Sequence, residues 1–336
     1  MLDKLDRPMR DLRVSVTDRC NLRCSYCMPR EVFGPDHVFL PREQLLSFEE
    51  IAQIASAASE HGVDRIRLTG GEPLLRRDIE RLVEMLAAIP GIKDLSLTTN
   101  GLLLARHAER LASAGLDRVT VSLDALDPAV LRDVADAPLD PARVLDGIDA
   151  AQAAGLTPVK VNMVVRRGLN DGEIVAMAER FRGSGHVLRF IEYMDVGTTN
   201  GWRRDEVVPA GEILRALGSR WPLEPLAPTR PGEVASRWRY LDGAGEIGLI
   251  HSVTEPFCHG CTRARLSADG KLFTCLFAAE GHDLRAALRD PAGEQNLAEI
   301  LAGVWGNRRD AYSAMRAAAG AREESAARIE MSYIGG

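Results

Sequence analysis

The 336-residue sequence predicts an α/β fold, six β/α units curled into a partial barrel, followed by a C-terminal extension. Three observations predict it. Short apolar or β-branched runs recur with helix-period segments between them. Their connections are short and strictly alternating, as parallel strands joined by right-handed crossovers require. The unusual residues gather at the C-terminal end of each run, where β/α barrels assemble their sites. A doubly wound sheet is the alternative topology.

The strands are expected at residues 12–17, 65–69, 95–99, 118–123, 159–165 and 187–192. Ser47 and Glu50 spell a capping box that opens the first helix, which runs to about residue 60, and Gly62 stands where a glycine would stop it. Helices over 77–88, 102–114, 141–154 and 171–182 carry apolar residues at i, i+3 and i+4 and end near Gly91, Gly115, Gly155 and Gly183. From 200 to 248 Pro, Gly, Arg and Trp are frequent and periodicity is weak, which marks a linker or a change of domain. We therefore place the barrel in residues 1–220 and a second region in 221–336, with a strand at 247–253 and a helical tail over 297–319.

Composition narrows the function classes. With 46% hydrophobic and 27% charged residues the chain is not of the disordered class, and no apolar run approaches the roughly 18 residues of a membrane span. A net charge of −6 disfavours nucleic acid and anionic lipid, so an anionic ligand needs a local basic pocket. Only four of the 42 basic residues are lysines, Lys160 among them. The N-terminus shows no apolar signal core, so the cytoplasm is expected, and six cysteines in that setting read as metal ligands or reactive thiols rather than a disulfide framework.

Cys20-x3-Cys24-x2-Cys27 puts three thiolates on the loop after the first strand. A structural zinc site takes four ligands, whereas a [4Fe-4S] cluster held by three leaves one iron open to a small molecule. A Cys3His zinc site completed by His37 is the alternative. Cys258-x2-Cys261-x13-Cys275 repeats the arithmetic, with His259 as the alternative fourth ligand, although beside Cys258 its ring would point away. Arg263 and Arg265 alternate along an expected strand and share a face, giving two guanidiniums for an oxyanion.

The first cysteine loop, with Tyr26 before its last ligand, followed by Gly70-Gly71-Glu72-Pro73, resembles the radical S-adenosylmethionine (radical SAM) superfamily. Asp18-Arg-Cys-Asn-Leu-Arg-Cys-Ser-Tyr-Cys-Met-Pro29, Leu68-Thr-Gly-Gly-Glu-Pro-Leu-Leu75, Arg189-Phe-Ile-Glu-Tyr-Met194, the stretch Pro256 to Lys271 and the terminal Gly335-Gly336 resemble, more narrowly, the GTP 3′,8-cyclase family. The likeness spans nearly the whole chain. It departs mildly, with Ala264 where that family often has Leu and Ser25 where Thr is common.

The resemblance implies a partial (β/α)6 TIM-like barrel of radical SAM type with a cluster-bearing C-terminal extension. It implies a lyase that converts GTP to (8S)-3′,8-cyclo-7,8-dihydroguanosine 5′-triphosphate, the first step of molybdopterin biosynthesis. Two [4Fe-4S] clusters would sit on Cys20, Cys24 and Cys27 and on Cys258, Cys261 and Cys275, with S-adenosylmethionine as co-substrate. Tyr26, Gly71, Ser122 and Met194 would contact S-adenosylmethionine, and Arg13, Arg67, Thr98, Lys160, Arg263, Ala264 and Arg265 would contact GTP. Arg13, Gly335 and Gly336 would serve the steps after hydrogen abstraction, Arg13 as the tail's partner on the rim. The implied partners are a one-electron donor such as flavodoxin or ferredoxin and, downstream, cyclic pyranopterin monophosphate synthase, for a monomer or homodimer that binds neither nucleic acid nor membrane. A radical SAM enzyme modifying a peptide, and a zinc or iron–sulfur binding protein without radical chemistry, are the competing readings.

Overall fold

The computed structural model describes residues 1–290, 293–319 and 328–335. Six strands, β1 (Asp11–Ser15), β2 (Arg65–Thr69), β3 (Asp94–Thr99), β4 (Arg118–Ser122), β5 (Lys160–Val165) and β6 (Val187–Glu192), pair in sequence order and all in parallel. The helices between them are α1 (Phe48–Glu60), α2 (Ile79–Ala87), α3 (Leu104–Ser113), α4 (Pro128–Ala135), α5 (Pro141–Ala153) and α6 (Ile174–Phe181). The capping box of α1 is formed, Glu50 N–H donating to Ser47 Oγ at 3.1 Å and Ser47 N–H to Glu50 Oε2 at 2.8 Å. Helix α4 is an addition to the expected set, opened by Asp127, whose carboxylate caps Ala129 N–H at 2.7 Å.

The stretch read as a linker is structured. It holds α7 (Ala210–Gly218), β7 (Leu223–Leu226) and β8 (Ser236–Tyr240), and leads into β9 (Glu246–Ile250). Pro225 gave the appearance of a break, yet β7 is the last strand of the sheet, where a missing N–H costs no ladder bond. The chain continues through β10 (Arg263–Leu266), β11 (Lys271–Phe273), β12 (His282–Asp283), α8 (Leu284–Arg289), α9 (Gly293–Gly306), α10 (Tyr312–Ala319) and α11 (Met331–Ile334). The extension adds to both edges of the six-strand array: β9 pairs in parallel with β6 and carries the antiparallel hairpin β8–β7, while β10 pairs in parallel with β1 and carries β11 and β12. Eight parallel strands result, and β9 and β10 do not pair with each other among the described residues, so the barrel is open.

Alternation along the strands decides barrel against doubly wound sheet. Leu12, Val14, Ile66, Leu68, Leu95, Leu97, Val119, Val121, Val161, Met163, Leu188 and Phe190 are buried in one apolar core with Ile51, Ile54, Leu82, Leu86, Leu111 and Ile148 of the helices. The alternate positions are Arg13, Arg67, Ser96, Thr98, Thr120, Ser122, Lys160, Asn162 and Arg189. A parallel sheet with helices on both faces would be apolar at both sets of positions. Here one face is polar, so the sheet curls around a polar lumen.

Candidate active site

At the C-terminal mouth of the lumen, β1 runs into the first cysteine loop. That loop leans on the end of α4, Arg23 N–H and Ser25 N–H donating to the carbonyls of Ala135 and Val134 at 3.0 Å. The Gly-Gly-Glu-Pro turn after β2 crosses it closely, with Gly71 N–H on Thr17 O and Glu72 N–H on Arg19 O, both at 2.8 Å. A Cβ at Gly71 would lie 2.2 Å from the Arg19 carbonyl oxygen, so a side-chain-free residue is required where these two backbones meet.

Three buried acids knit the strand ends together. Glu72 accepts from Thr99 Oγ1 (2.7 Å), Asn100 N–H (2.8 Å) and Leu74 N–H (3.1 Å). Asp124 accepts from Tyr26 OH and Val164 N–H, both at 2.8 Å. Glu192 accepts from Ala210, Val253 and Thr254 N–H at 2.8–2.9 Å. Sequence reasoning did not assign these acids a role; a carboxylate closing an apolar strand with no basic neighbour is the signal that would have found them. Through Asp124, Tyr26 is anchored two residues from Ser122, which brings two of the expected S-adenosylmethionine contacts to one spot.

Burial raises the Cys20 thiol to about 11 and pushes Cys24 and Cys27 up further, helped by the charges of Asp124 and Glu72 and by one another. Such thiols ionise only against a metal, so binding of iron must expel their protons. His37 is packed between the rings of Phe33 and Phe39, each 4.7 Å away, and His259 is exposed. The six cysteines are free, and among the described residues no three His, Cys, Asp or Glu side chains are grouped around a single ion. Three mutually interacting thiols without a fourth protein ligand fit a cubane with an open iron.

The lumen wall is cationic. Register sets Arg265 beside Arg13, Arg13 beside Arg67, Thr120 beside Lys160 and Asn162 beside Arg189. Burial, then mutual repulsion, lowers Arg67 and Arg265 to about 10, Arg189 to about 9 and Lys160 to about 7, and Arg13 falls as well. Carboxylates serve their neighbours instead: Asp11 pairs with Arg65 at 2.7 Å, and Asp94 with Arg118 and, at 3.5 Å, with Arg230. Arg13, Arg67, Lys160 and Arg189 form no salt bridge among the described residues, although the charges of Asp11, Asp94 and Glu233 reach the arginines, and the buried Thr98 hydroxyl has no hydrogen-bond partner. Buried charges are ordinarily paired, so this wall is built for a polyanion. Arg189 and Asn162, 2.9 Å apart, join the expected set; the polar alternation of β5 and β6 was their signal.

The second trio lies at the opposite mouth. Because β10 runs parallel to β1, Cys258 and Cys261, just ahead of β10, sit at the N-terminal ends of the strands, and the antiparallel β11 returns Cys275 to the same end. This corrects the expectation that the chemistry gathers on the C-terminal rim: Arg13 is mid-strand and Lys160 opens β5. Arg308, following α9, donates to Cys261 Sγ at 3.1 Å and to its carbonyl at 2.8 Å, Arg263 donates to the same sulfur at 3.3 Å, and Arg7 donates to the Cys258 carbonyl at 2.8 Å. Burial would raise the Cys261 thiol, but Arg263 and Arg308 outweigh it and bring it to about 7. Arg308, far away in sequence, gave no signal there.

The tail also enters the lumen. Gly335 is buried at φ +72°, its carbonyl accepts from Arg265, and a Cβ there would fall 1.9 Å from Thr69 Oγ1. Among the described residues the tail's side-chain partner at this point is Arg265. Gly336 lies outside the described residues. Met194 is half-buried at the end of β6, its carbonyl accepting from Asn200 Nδ2 at 3.1 Å. Ala264 turns its methyl into the apolar core, away from Arg263 and Arg265.

An open β/α barrel with a three-thiolate loop after its first strand and a glycine turn crossing that loop defines a radical SAM protein. Residues 14–181 match the radical SAM superfamily, and residues 186–314 match the family described as Molybdenum Cofactor Synthesis C. The structure of SuiB from Streptococcus suis bound to S-adenosylmethionine shares this fold, with a TM-score of 0.60 at 14% identity, covering 92% of this chain and 70% of that one. The GTP 3′,8-cyclase of Acidothermus cellulolyticus is 56% identical over 99% of this chain and 98% of its own length. Those of Xanthomonas campestris and Staphylococcus aureus are 50% and 48% identical, over 100% and 99% of this chain and 97% and 98% of theirs. The chain belongs to the GTP 3′,8-cyclase family.

Proposed function

We propose that one GTP lies along the lumen between the two cysteine trios and is cyclised there to (8S)-3′,8-cyclo-7,8-dihydroguanosine 5′-triphosphate, the first step of molybdopterin biosynthesis. The observation that carries this reading is the row of buried and half-buried cations, Arg13, Arg67, Lys160, Arg189 and Arg265, that form no salt bridge among the described residues and stand between two three-thiolate sites. It explains how a protein of net charge −6 holds a triphosphate: fixed guanidiniums converge where water is scarce and Coulomb attraction is strong.

Cys20, Cys24 and Cys27 hold the first [4Fe-4S] cluster, and Cys258, Cys261 and Cys275 the second. Bound S-adenosylmethionine and the first cluster would supply a 5′-deoxyadenosyl radical that removes the ribose C3′ hydrogen; C3′ then bonds to guanine C8, and the radical left on N7 takes up one electron from a one-electron donor and one proton to give the 7,8-dihydro product. Tyr26, Gly71, Ser122 and Met194 line the S-adenosylmethionine site. Arg13, Arg67, Thr98, Lys160, Arg189, Arg263 and Arg265 grip GTP, Ala264 contributing backbone alone. Cys258, Cys261 and Cys275 would leave one iron of the second cluster without a protein ligand, open to the guanine of GTP. Arg13 and the Gly335–Gly336 tail order the groups after hydrogen abstraction. Residues 1–220 thus carry the radical source and 221–336 the substrate anchor, within one sheet. A one-electron donor, flavodoxin or ferredoxin, reduces the first cluster, and cyclic pyranopterin monophosphate synthase consumes the product in the cytoplasm. Among the described residues no helix is long and apolar enough to cross a membrane.

Anaerobic reconstitution tests the reading. Two cubanes give about eight irons per chain; 5′-deoxyadenosine should require S-adenosylmethionine, with some uncoupled formation in its presence alone, and the cyclised nucleotide should require S-adenosylmethionine and GTP together. Two equivalents of zinc with negligible iron would sink it.

A further inference from the structure

The segment after Met194 and the base of the C-terminal tail grip each other through buried charge. Asp195, fully buried, accepts from Tyr312 OH at 2.7 Å, from Arg328 Nη1 at 3.0 Å and from Arg316 Nη1. Its carbonyl takes a further bond from Arg328 at 3.2 Å, and Arg316 also reaches the Ser252 carbonyl at 2.7 Å. Glu330 grips in the opposite direction, accepting from Thr198 N–H at 2.9 Å, Thr198 Oγ1 at 3.1 Å and Thr199 Oγ1 at 2.9 Å. Gly197 between them has no room for a Cβ, which would sit 2.1 Å from Glu330 Oε2. The grip begins at the residue after Met194, in the loop that follows β6. Five residues beyond Glu330, Gly335 stands against Thr69 inside the lumen.

We propose that Asp195 is a positioning residue that fastens the base of the tail to the S-adenosylmethionine-side loop, so that the tail end is in place when the substrate radical forms. A buried ion cluster is a poor source of stability compared with apolar packing, but it imposes one geometry, since any slip leaves a charge unpaired. Tyr312 and Arg316 come from α10 and Arg328 from a later segment; they converge on this carboxylate, with the Arg328 guanidinium also 4.4 Å from the centre of the Tyr312 ring. The inference rests on the reading that the tail serves a step after hydrogen abstraction.

The test is Asp195→Asn, which keeps the volume and removes the charge, in the reconstituted full-length protein. Two quantities are measured: the ratio of 5′-deoxyadenosine to cyclised nucleotide, and hydrogen exchange of residues 328–335. We expect the ratio to rise at least fivefold, with 5′-deoxyadenosine formation within twofold of wild type and exchange of the tail accelerated. A merely structural residue would lower both products in parallel and leave their ratio unchanged, and that result, or tail exchange equal to wild type, overturns the proposal. Should Asp195→Asn fail to fold, Thr198→Ala with Thr199→Val removes two donors from Glu330 at the more exposed end and is held to the same ratio and exchange criteria. If wild type makes no cyclised nucleotide, the functional reading fails, while the exchange comparison still decides whether Asp195 holds the tail.

Discussion

Lys160 gives the most quantitative prediction. It begins β5 inside the lumen, and burial, followed by the charges of Arg189, Arg118, Arg67 and Arg230, depresses its pKa from 10.5 to about 7. A lowered lysine pKa means that the free protein pays for the charge below pH 7 and is relieved as the pH rises towards 10.5. A triphosphate in the lumen reverses the balance by offsetting the surrounding cations, and the lysine binds its proton again. With a free-protein pKa near 7 and an ordinary value when bound, GTP binding at pH 8 takes up about 0.9 proton. The dissociation constant then rises about fivefold between pH 7 and 8 and about tenfold more by pH 9. Anaerobic titration calorimetry in buffers of different ionisation enthalpy reads the proton directly. Lys160→Arg, whose charge persists through this range, should bind with a nearly flat pH profile, and Lys160→Met should weaken binding at pH 7 by roughly 1.5–3 kcal/mol. Equal enthalpies in all buffers, with an affinity unchanged from pH 7 to 9, would refute the argument that the lumen cations await a polyanion.

Four further substitutions probe the two mouths and the tail. Cys24→Ser should abolish 5′-deoxyadenosine formation and leave about four irons, whereas Cys261→Ala should lose the same iron yet retain uncoupled cleavage of S-adenosylmethionine without cyclised nucleotide. Gly71→Ala drives a methyl into the Arg19 carbonyl, so the cysteine loop must shift; the reconstituted protein should lose the iron of the first cluster and unfold at a lower temperature in a thermal melt. Gly335→Ala meets both a left-handed φ and the Thr69 hydroxyl, and product formation should fall at least tenfold, about 1.4 kcal/mol in the barrier, with iron content unchanged by chemical assay.

Local signals were legible in the sequence, and long-range ones were not. The bounds of β2 and β6 and the start of α1 follow the pattern closely because a strand run or a capping box is complete within a few residues. Helix α4 was overlooked because Asp127-Pro128 reads as a turn when the helix behind it has only eight residues. The hairpin β7–β8 owes its existence to pairing with β9, so its proline-rich sequence shows no periodicity of its own. In the site, counting thiolates revealed two trios, but their placement at opposite mouths depends on β10 joining β1 in parallel, which no local pattern records. Arg263 and Arg265 stood out beside cysteines; Arg189, without such a marker, was quoted within a motif and given no role.

The supports of the second cysteine turn bear on the order in which the protein is made. The loop of the first trio rests directly on the end of α4, so that immediate support has been synthesised once residue 135 is made. The turn of Cys258 and Cys261 is held instead by Arg7 and Arg308, which meet at Asp3, while Trp305 donates to the Arg7 carbonyl at 3.0 Å and Arg7 to that of Asp310 at 2.7 Å. An early segment must therefore wait some 300 residues of synthesis for its partner. At elongation rates of about 5–20 residues per second, that delay is of the order of 15–60 seconds. The immediate support of the first cysteine loop is thereby made well before that of the second cysteine turn.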